Sequence, residues 1–223
     1  MIKGCIFDLD GTLLDTLRTI VHHGNGLLAR HGLSPYTPAD YRRFVGSGSR
    51  VLLRRMLSGR GIADEAFLDV ALSEYVNAYN ADPFVDTVPY PGIVPLLSLL
   101  NENGCRLAVC SNKPQSSVEL LIPRYFSVPF THVLGGAEKT EWLKPSPYYT
   151  LKIMEEWGLS SDECLFLGDS PQDMQTAHAA KIAYPVAAEW GYTDRLVLEK
   201  ENAILLKSPY DVIELVKKVN RLV

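Results

Sequence analysis

Near the start of the chain an apolar run ends in Asp8-Leu9-Asp10-Gly11-Thr12, two carboxylates two positions apart, with Asp15 close behind. Much further on, Ser111-Asn112 follows a second apolar run, and Lys144 stands in Lys-Pro-Ser-Pro. Gly168-Asp169-Ser170, with Asp173, follows a third run. Acids, a lysine and a hydroxyl are the residue types of metal-assisted phosphoryl transfer. Crowded carboxylates repel one another, and a hard divalent cation such as Mg²⁺ relieves that repulsion. A lysine and a hydroxyl beside a helix start suit phosphate oxygens. Taken singly, each fragment has a plainer reading. Asp-Gly makes turns, Ser111-Asn112 suits a helix cap, and a lone lysine suits a solvated surface. Ser170, Pro171 and Asp173 make a good helix start, with Asp173 at the positive helix end. None of these explains Asp169, an additional acid at a strand tip. The phosphoryl-transfer reading rests on the fragments acting together, which requires a fold that converges them.

The elements that would do so are visible as short, near-continuous apolar runs, the pattern of buried parallel strands. Lys3-Phe7, Arg106-Cys110, Glu163-Leu167 and Ile182-Val186 are predicted as strands, and Thr131-Gly135 as a weaker one. Helical patterns lie between them, at Ile93-Asn101, Pro147-Trp157 closing at Gly158, and Asp211-Leu222. This alternation predicts an α/β fold with a doubly wound, Rossmann-like parallel sheet. Ligands of such sheets bind outside the carboxyl ends of the strands, where the four fragments stand.

From Leu17 to about Asp82 the alternation stops. Helical segments at Leu17-His31, Pro38-Val45, Ser49-Leu57 and Asp64-Asn80 are separated by polar and glycine breaks. They predict a small helical domain over 17–83, inserted into a core of 1–16 and 84–223, with hinges near Thr16 and Pro83. Asp15 is read as a structural residue at that hinge.

Composition narrows the function classes. The chain has 223 residues, 47% hydrophobic and 22% charged, with a formal net charge of -4 and 22 Lys+Arg. Without a long basic run, nucleic acid is a poor partner. No apolar stretch reaches the roughly 18–20 residues of a membrane span. Cys5, Cys105, Cys110 and Cys164 lie in or beside apolar runs without CxxC spacing and read as buried free thiols. A cytoplasmic protein, monomeric or a small homo-oligomer, is expected.

The four fragments, in order and over nearly the whole chain, resemble the motifs of the haloacid dehalogenase superfamily, with a helical cap inserted after the first. The phosphoglycolate phosphatase-like subgroup is the most similar. Its flavour is seen in Phe44-Val45-Gly46-Ser47-Gly48 with Leu52-Leu53, in Tyr90-Pro91-Gly92 and in Glu189-Trp190-Gly191-Tyr192. The resemblance implies a Mg²⁺-dependent phosphatase acting on a small phosphorylated metabolite. Asp8 would be the nucleophile that becomes an aspartyl-phosphate, and Asp10 the general acid and base. Asp8, Asp10 (through its carbonyl), Asp169 and Asp173, in or just behind the shell, would hold the metal. Ser111, Asn112 and Lys144 would hold the phosphate. In the cap, Gly46, Ser47 and Arg50, with Arg42 or Arg43, would face the rest of the substrate, although all three arginines read equally well as ordinary exposed side chains. Pyrophosphatase, nucleotide and sugar-phosphate phosphatase and β-phosphoglucomutase-like mutase are the alternatives. A non-catalytic phosphate-binding or regulatory module is the reading from another class. The chain departs from the subgroup at Lys181, commonly Gly, at Ala188-Glu189, and at Tyr148, often Asp.

Overall fold

In the computed structural model, which describes residues 1–136 and 140–221, the apolar runs form a parallel sheet. Its strands are β1 (Gly4–Phe7), β4 (Arg106–Pro114), β5 (His132–Gly136), β6 (Cys164–Gly168), β7 (Tyr184–Ala188) and β8 (Ile204–Leu206), in the order β5-β4-β1-β6-β7-β8. The first strand is therefore central: Phe7 pairs with Val109 on one side and Leu167 on the other. Burial on both faces explains the unbroken apolar run. Cys5 and Phe7 enter the larger core, and Ile6 enters the other with Phe166 and Ile153. All four cysteines are buried and free.

Helices α5 (Ile93–Glu102), α6 (Gln115–Tyr125) and α10 (Pro209–Asn220) put their apolar sides into the larger core. Helices α7 (Tyr148–Trp157) and α8 (Pro171–Ala179) supply Trp157 and Ala177 to the other. The last helix begins two residues before the expected Asp211, because Ser208 caps it with Pro209 at its first turn. Leu222, its expected end, lies outside the described residues. A short α9 (Arg195–Leu198) precedes β8; neither is evident in the sequence.

After β1 the chain makes a tight turn at Gly11, with φ +83°, into a two-residue strand, β2 (Leu14–Asp15). It pairs antiparallel with β3 (Val88–Pro89). Between these strands lie four helices, α1 (Leu17–Arg30), α2 (Pro38–Phe44), α3 (Ser49–Ser58) and α4 (Glu65–Ala81). This helical insertion closes on its own apolar faces: Leu27 and Leu28 of α1, Leu53 and Met56 of α3, and Ala71 and Tyr75 of α4 are buried together. Asp15 sits at its root, its carboxylate accepting from Leu17 N–H. No helix among the described residues is long and apolar enough to cross a membrane.

The departure at Lys181 acquires a physical meaning. Helix α8 ends with Lys181 N–H donating to His178 O and Ile182 N–H to Ala177 O, a pattern that needs a left-handed residue after the helix. Lys181 occupies that place at φ +58°, where glycine would sit without strain.

Candidate active site

Three strand ends and one loop converge. Asp8 continues β1, its N–H donating to Leu167 O of β6. Asp169 follows β6. Ser111, Asn112 and Lys113 lie inside β4, which runs four residues past the predicted end at Cys110. Its pairing with β5 slips between Cys110 and Pro114. Gly135 and Gly136 permit that slip, since a Cβ on Gly136 would lie 2.8 Å from Asn112 O. Ser111 and Asn112 consequently do not cap α6, whose N-cap is Pro114.

Asp8, Asp169 and Asp173 each offer an oxygen within 4.8 Å of the others, and all three are buried. Lys144 Nζ lies 2.8 Å from Asp8 Oδ1 and 2.6 Å from Asp173 Oδ1. The other oxygen of Asp173 accepts from Ser170 N–H and Oγ–H at the start of α8. Both Asp173 oxygens are thus engaged inside the protein, and it stands behind Lys144 as its anchor. A Cβ on Gly168 would come within 2.3 Å of Asp173 Cβ, so glycine is what lets the acid tuck against the strand.

Asp169 is held on every side. Tyr192 N–H donates to its Oδ2 at 2.7 Å and Thr12 Oγ–H to its Oδ1 at 3.3 Å. Cβ atoms on Gly11 or Gly191 would lie 2.4 and 2.2 Å from its side chain. Asp10 turns the other way. Lys113 Nζ is 3.2 Å from both of its oxygens, and Thr16 Oγ–H donates to Oδ1 at 2.5 Å.

Electrostatics follow from this burial. Desolvation pushes the Asp8 carboxyl up to about 7, with Asp173 and Asp10 adding to the rise and Lys144 opposing it. Asp169 is raised well above the ordinary range, again by burial first and then by Asp173 and Asp8. Burial opposes the charge on Lys144, but Asp173 and Asp8 outweigh it and hold the ammonium above an ordinary lysine. A cluster whose anions are this disfavoured, presenting only hard oxygen donors, fits Mg²⁺.

The insertion lies over this floor, leaving a cleft of about 220 Å³ lined by Asp8, Asp10, Ser111, Lys113 and Asp169 below and by Arg42, Arg43, Gly46 and Arg55 above. Gly48, at φ +84°, approaches so closely that a Cβ would stand 3.0 Å from Asn112 O. Asn112 spends its whole amide on architecture: Nδ2 donates to Gly46 O and Lys144 O, and Oδ1 accepts from Lys144 N–H. It ties the insertion to the lysine loop, and its side chain has no N–H left for a ligand. Ser47 Oγ accepts from Gln172 Nε2.

The structure does not bring Arg50 to the cleft: its guanidinium pairs with Glu65 at 3.0 Å and Asp69 at 2.5 Å on the outer surface. Lys113 and Tyr192 were not singled out as site residues from sequence. The signals were there in Lys113, next to Ser111-Asn112 at a strand tip, and in Gly191-Tyr192. Of the other departures, Glu189 pairs with Arg195 and Tyr148 stacks on Trp142.

Residues 5–187 match the model of the family described as haloacid dehalogenase-like hydrolase. A Rhodospirillum rubrum protein named phosphoglycolate phosphatase is 34% identical, the match covering 86% of this chain and 82% of the relative. A protein of the same name from Mesorhizobium japonicum is 32% identical over 97% of this chain and 96% of its own. The crystal structure of a predicted phosphoglycolate phosphatase from Haemophilus somnus superposes with a TM-score of 0.88 at 25% identity, covering 96% of this chain and 98% of that one. With its motifs, sheet order and family match in agreement, the chain belongs to the haloacid dehalogenase-like hydrolases.

Proposed function

We propose that this protein is a Mg²⁺-dependent phosphatase of small phosphorylated metabolites, with phosphoglycolate the first substrate to try, because the relatives above carry that name. The observation that carries the reading is Asp8, at the tip of β1, in contact with Lys144 while Asp169 and Asp173 crowd behind it. In this reading an Asp8 oxygen attacks phosphorus, the ester P–O bond breaks, and the departing alkoxide takes a proton from Asp10. Asp10 then removes a proton from water, which attacks the aspartyl-phosphate. The bond between phosphorus and Asp8 breaks, releasing inorganic phosphate. Ser111 and Lys144 hold the transferring oxygens, and Asp173 keeps Lys144 in place.

The residues that would hold Mg²⁺ are Asp8, Asp169 and the Asp10 carbonyl, with Asp173 behind. When bound, the ion supplies positive charge that offsets the carboxylates and the phosphoryl oxygens. Residues 17–83 serve as a cap that excludes water from the site, hinged where Tyr192 OH accepts from Thr16 N–H. Expected results are that Asp8→Asn abolishes hydrolysis of phosphoglycolate and p-nitrophenyl phosphate with the fold retained, and that EDTA silences the wild type until Mg²⁺ is restored. Turnover by Asp8→Asn, or full activity in EDTA, overturns the reading.

A further inference from the structure

Among the described residues two lysines are buried, and both stand in this site. The chemistry above employs Lys144, which spans Asp8 and Asp173. It leaves Lys113 without a task. Burying an ammonium is costly unless it is paired, so the partners of Lys113 indicate what it is for.

Its Nζ lies 3.2 Å from Oδ1 and 3.2 Å from Oδ2 of Asp10, so the ammonium faces both ends of the carboxylate rather than one. It also lies 4.0 Å from the centre of the Tyr79 ring, on helix α4 of the insertion. The Lys113 side chain is 5% exposed and that of Asp10 is 21% exposed. Asp10 therefore reaches into the cleft while Lys113 stands behind it, clamped between a carboxylate of the core and an aromatic face of the insertion. Thr16 Oγ–H adds a second donor on Oδ1. Among the described residues Oδ2 accepts from Lys113 alone, which leaves it the oxygen with room for a transferable proton.

We propose that Lys113 is a positioning residue for proton transfer: it fixes the Asp10 carboxylate so that Oδ2 meets the oxygen of the departing alcohol, with the Tyr79 ring as its platform. The proposal rests on the phosphatase reading above. As the ester P–O bond breaks, the proton passes from Asp10 Oδ2 to the leaving oxygen, and Lys113 keeps its own protons. Supporting groups of this kind hold a reacting side chain within the narrow range of geometry that the transfer needs.

The test compares two leaving groups in the first turnover at saturating substrate with Mg²⁺ present. Ethyl phosphate releases an alkoxide that must be protonated, and it carries no second charge for Lys113 to bind. p-Nitrophenyl phosphate releases a phenolate that is stable without a proton. Lys113→Met is expected to slow ethanol release by roughly 10- to 100-fold and p-nitrophenolate release by less than about 3-fold. The loss on ethyl phosphate should lie in kcat, with KM unchanged, because Lys113 acts through Asp10 and not on the substrate. Lys113→Arg keeps the charge and should recover part of the ethanol rate. A thermal melt reports folding; if Lys113→Met does not fold, Lys113→Arg decides alone, with a smaller loss confined to ethyl phosphate expected. Equal losses on both substrates, no loss on either, or a loss in KM alone overturns the proposal while the phosphatase reading stands. If the wild type hydrolyses neither ester, the phosphatase reading fails and the proposal falls with it.

Discussion

Replacing Asp8 by asparagine should change how stability depends on pH, and Mg²⁺ should cancel the difference. Burial raises the Asp8 carboxyl from 3.8 to about 7 in the metal-free fold. Below pH 4 folded and unfolded chains both hold this proton and it contributes nothing. As pH rises the unfolded chain ionises freely while the folded one resists, so stability is lost until about pH 7 and then levels off. Between pH 5 and 8 this spans two pH units at about 1.4 kcal/mol each, or roughly 3 kcal/mol, which corresponds to roughly 6–12 °C in Tm for a domain of this size. Asp169 acts with the same sign, and its rise is itself partly due to Asp8. His23 acts oppositely: burial lowers its pKa, so the folded protein gains on the unfolded chain as pH rises towards 6.5. That contribution is common to both proteins and drops out of their difference. Lys144 stays charged throughout the range. Thermal melts in EDTA should therefore show wild type losing stability from pH 5 to 8 relative to Asp8→Asn. Added Mg²⁺ should stabilise the wild type far more at pH 8 than at pH 5. Parallel curves for the two proteins, or equal stabilisation by Mg²⁺ at both pH values, would refute the reasoning.

Other perturbations probe the supports of the site. Gly191→Ala drives a methyl group into Asp169 and should raise the Mg²⁺ concentration for half-maximal activity several-fold; an unchanged metal titration counts against Asp169 as ligand. Gly48→Ala combines a left-handed φ with contact on Asn112 O and should cost about 1–2 kcal/mol, together with a fall in kcat/KM, because the insertion can no longer seat on the core. Unchanged kinetics in a folded Gly48→Ala would show the seat to be unimportant. Lys181→Gly relieves a left-handed side chain and should stabilise by up to about 1 kcal/mol in urea unfolding, with activity untouched.

How much was legible without coordinates depended on how locally each feature is encoded. The five strands read as apolar runs were all present, shifted by two residues at most at their starts, because double-sided burial in a parallel sheet writes itself into consecutive residues. The ribbon of Leu14–Asp15 with Val88–Pro89 was invisible, since two residues are too few to show a period. Helix α6 was anticipated only as a helix that Ser111-Asn112 could cap, and it starts later, after Pro114.

The same distinction runs through the site. Asp8, Asp10, Ser111, Lys144 and Asp169 could be picked out from sequence because each follows an apolar run or lies in a proline-bounded loop, and the sheet order brings these stretches together. What each side chain does there was decided in three dimensions. Asp173 turned to Lys144, Asn112 was consumed in joining two loops, and Lys113 reached Asp10 across a sequence separation of 103. Among the arginines, sequence put Arg50 first, with Arg42 or Arg43 beside it. Tertiary structure separated them, because a long cation on a helix pairs with whichever anion its rotation brings near. Glu65 and Asp69 on a neighbouring helix take Arg50, whereas the folded packing leaves Arg42 and Arg43 lining the cleft.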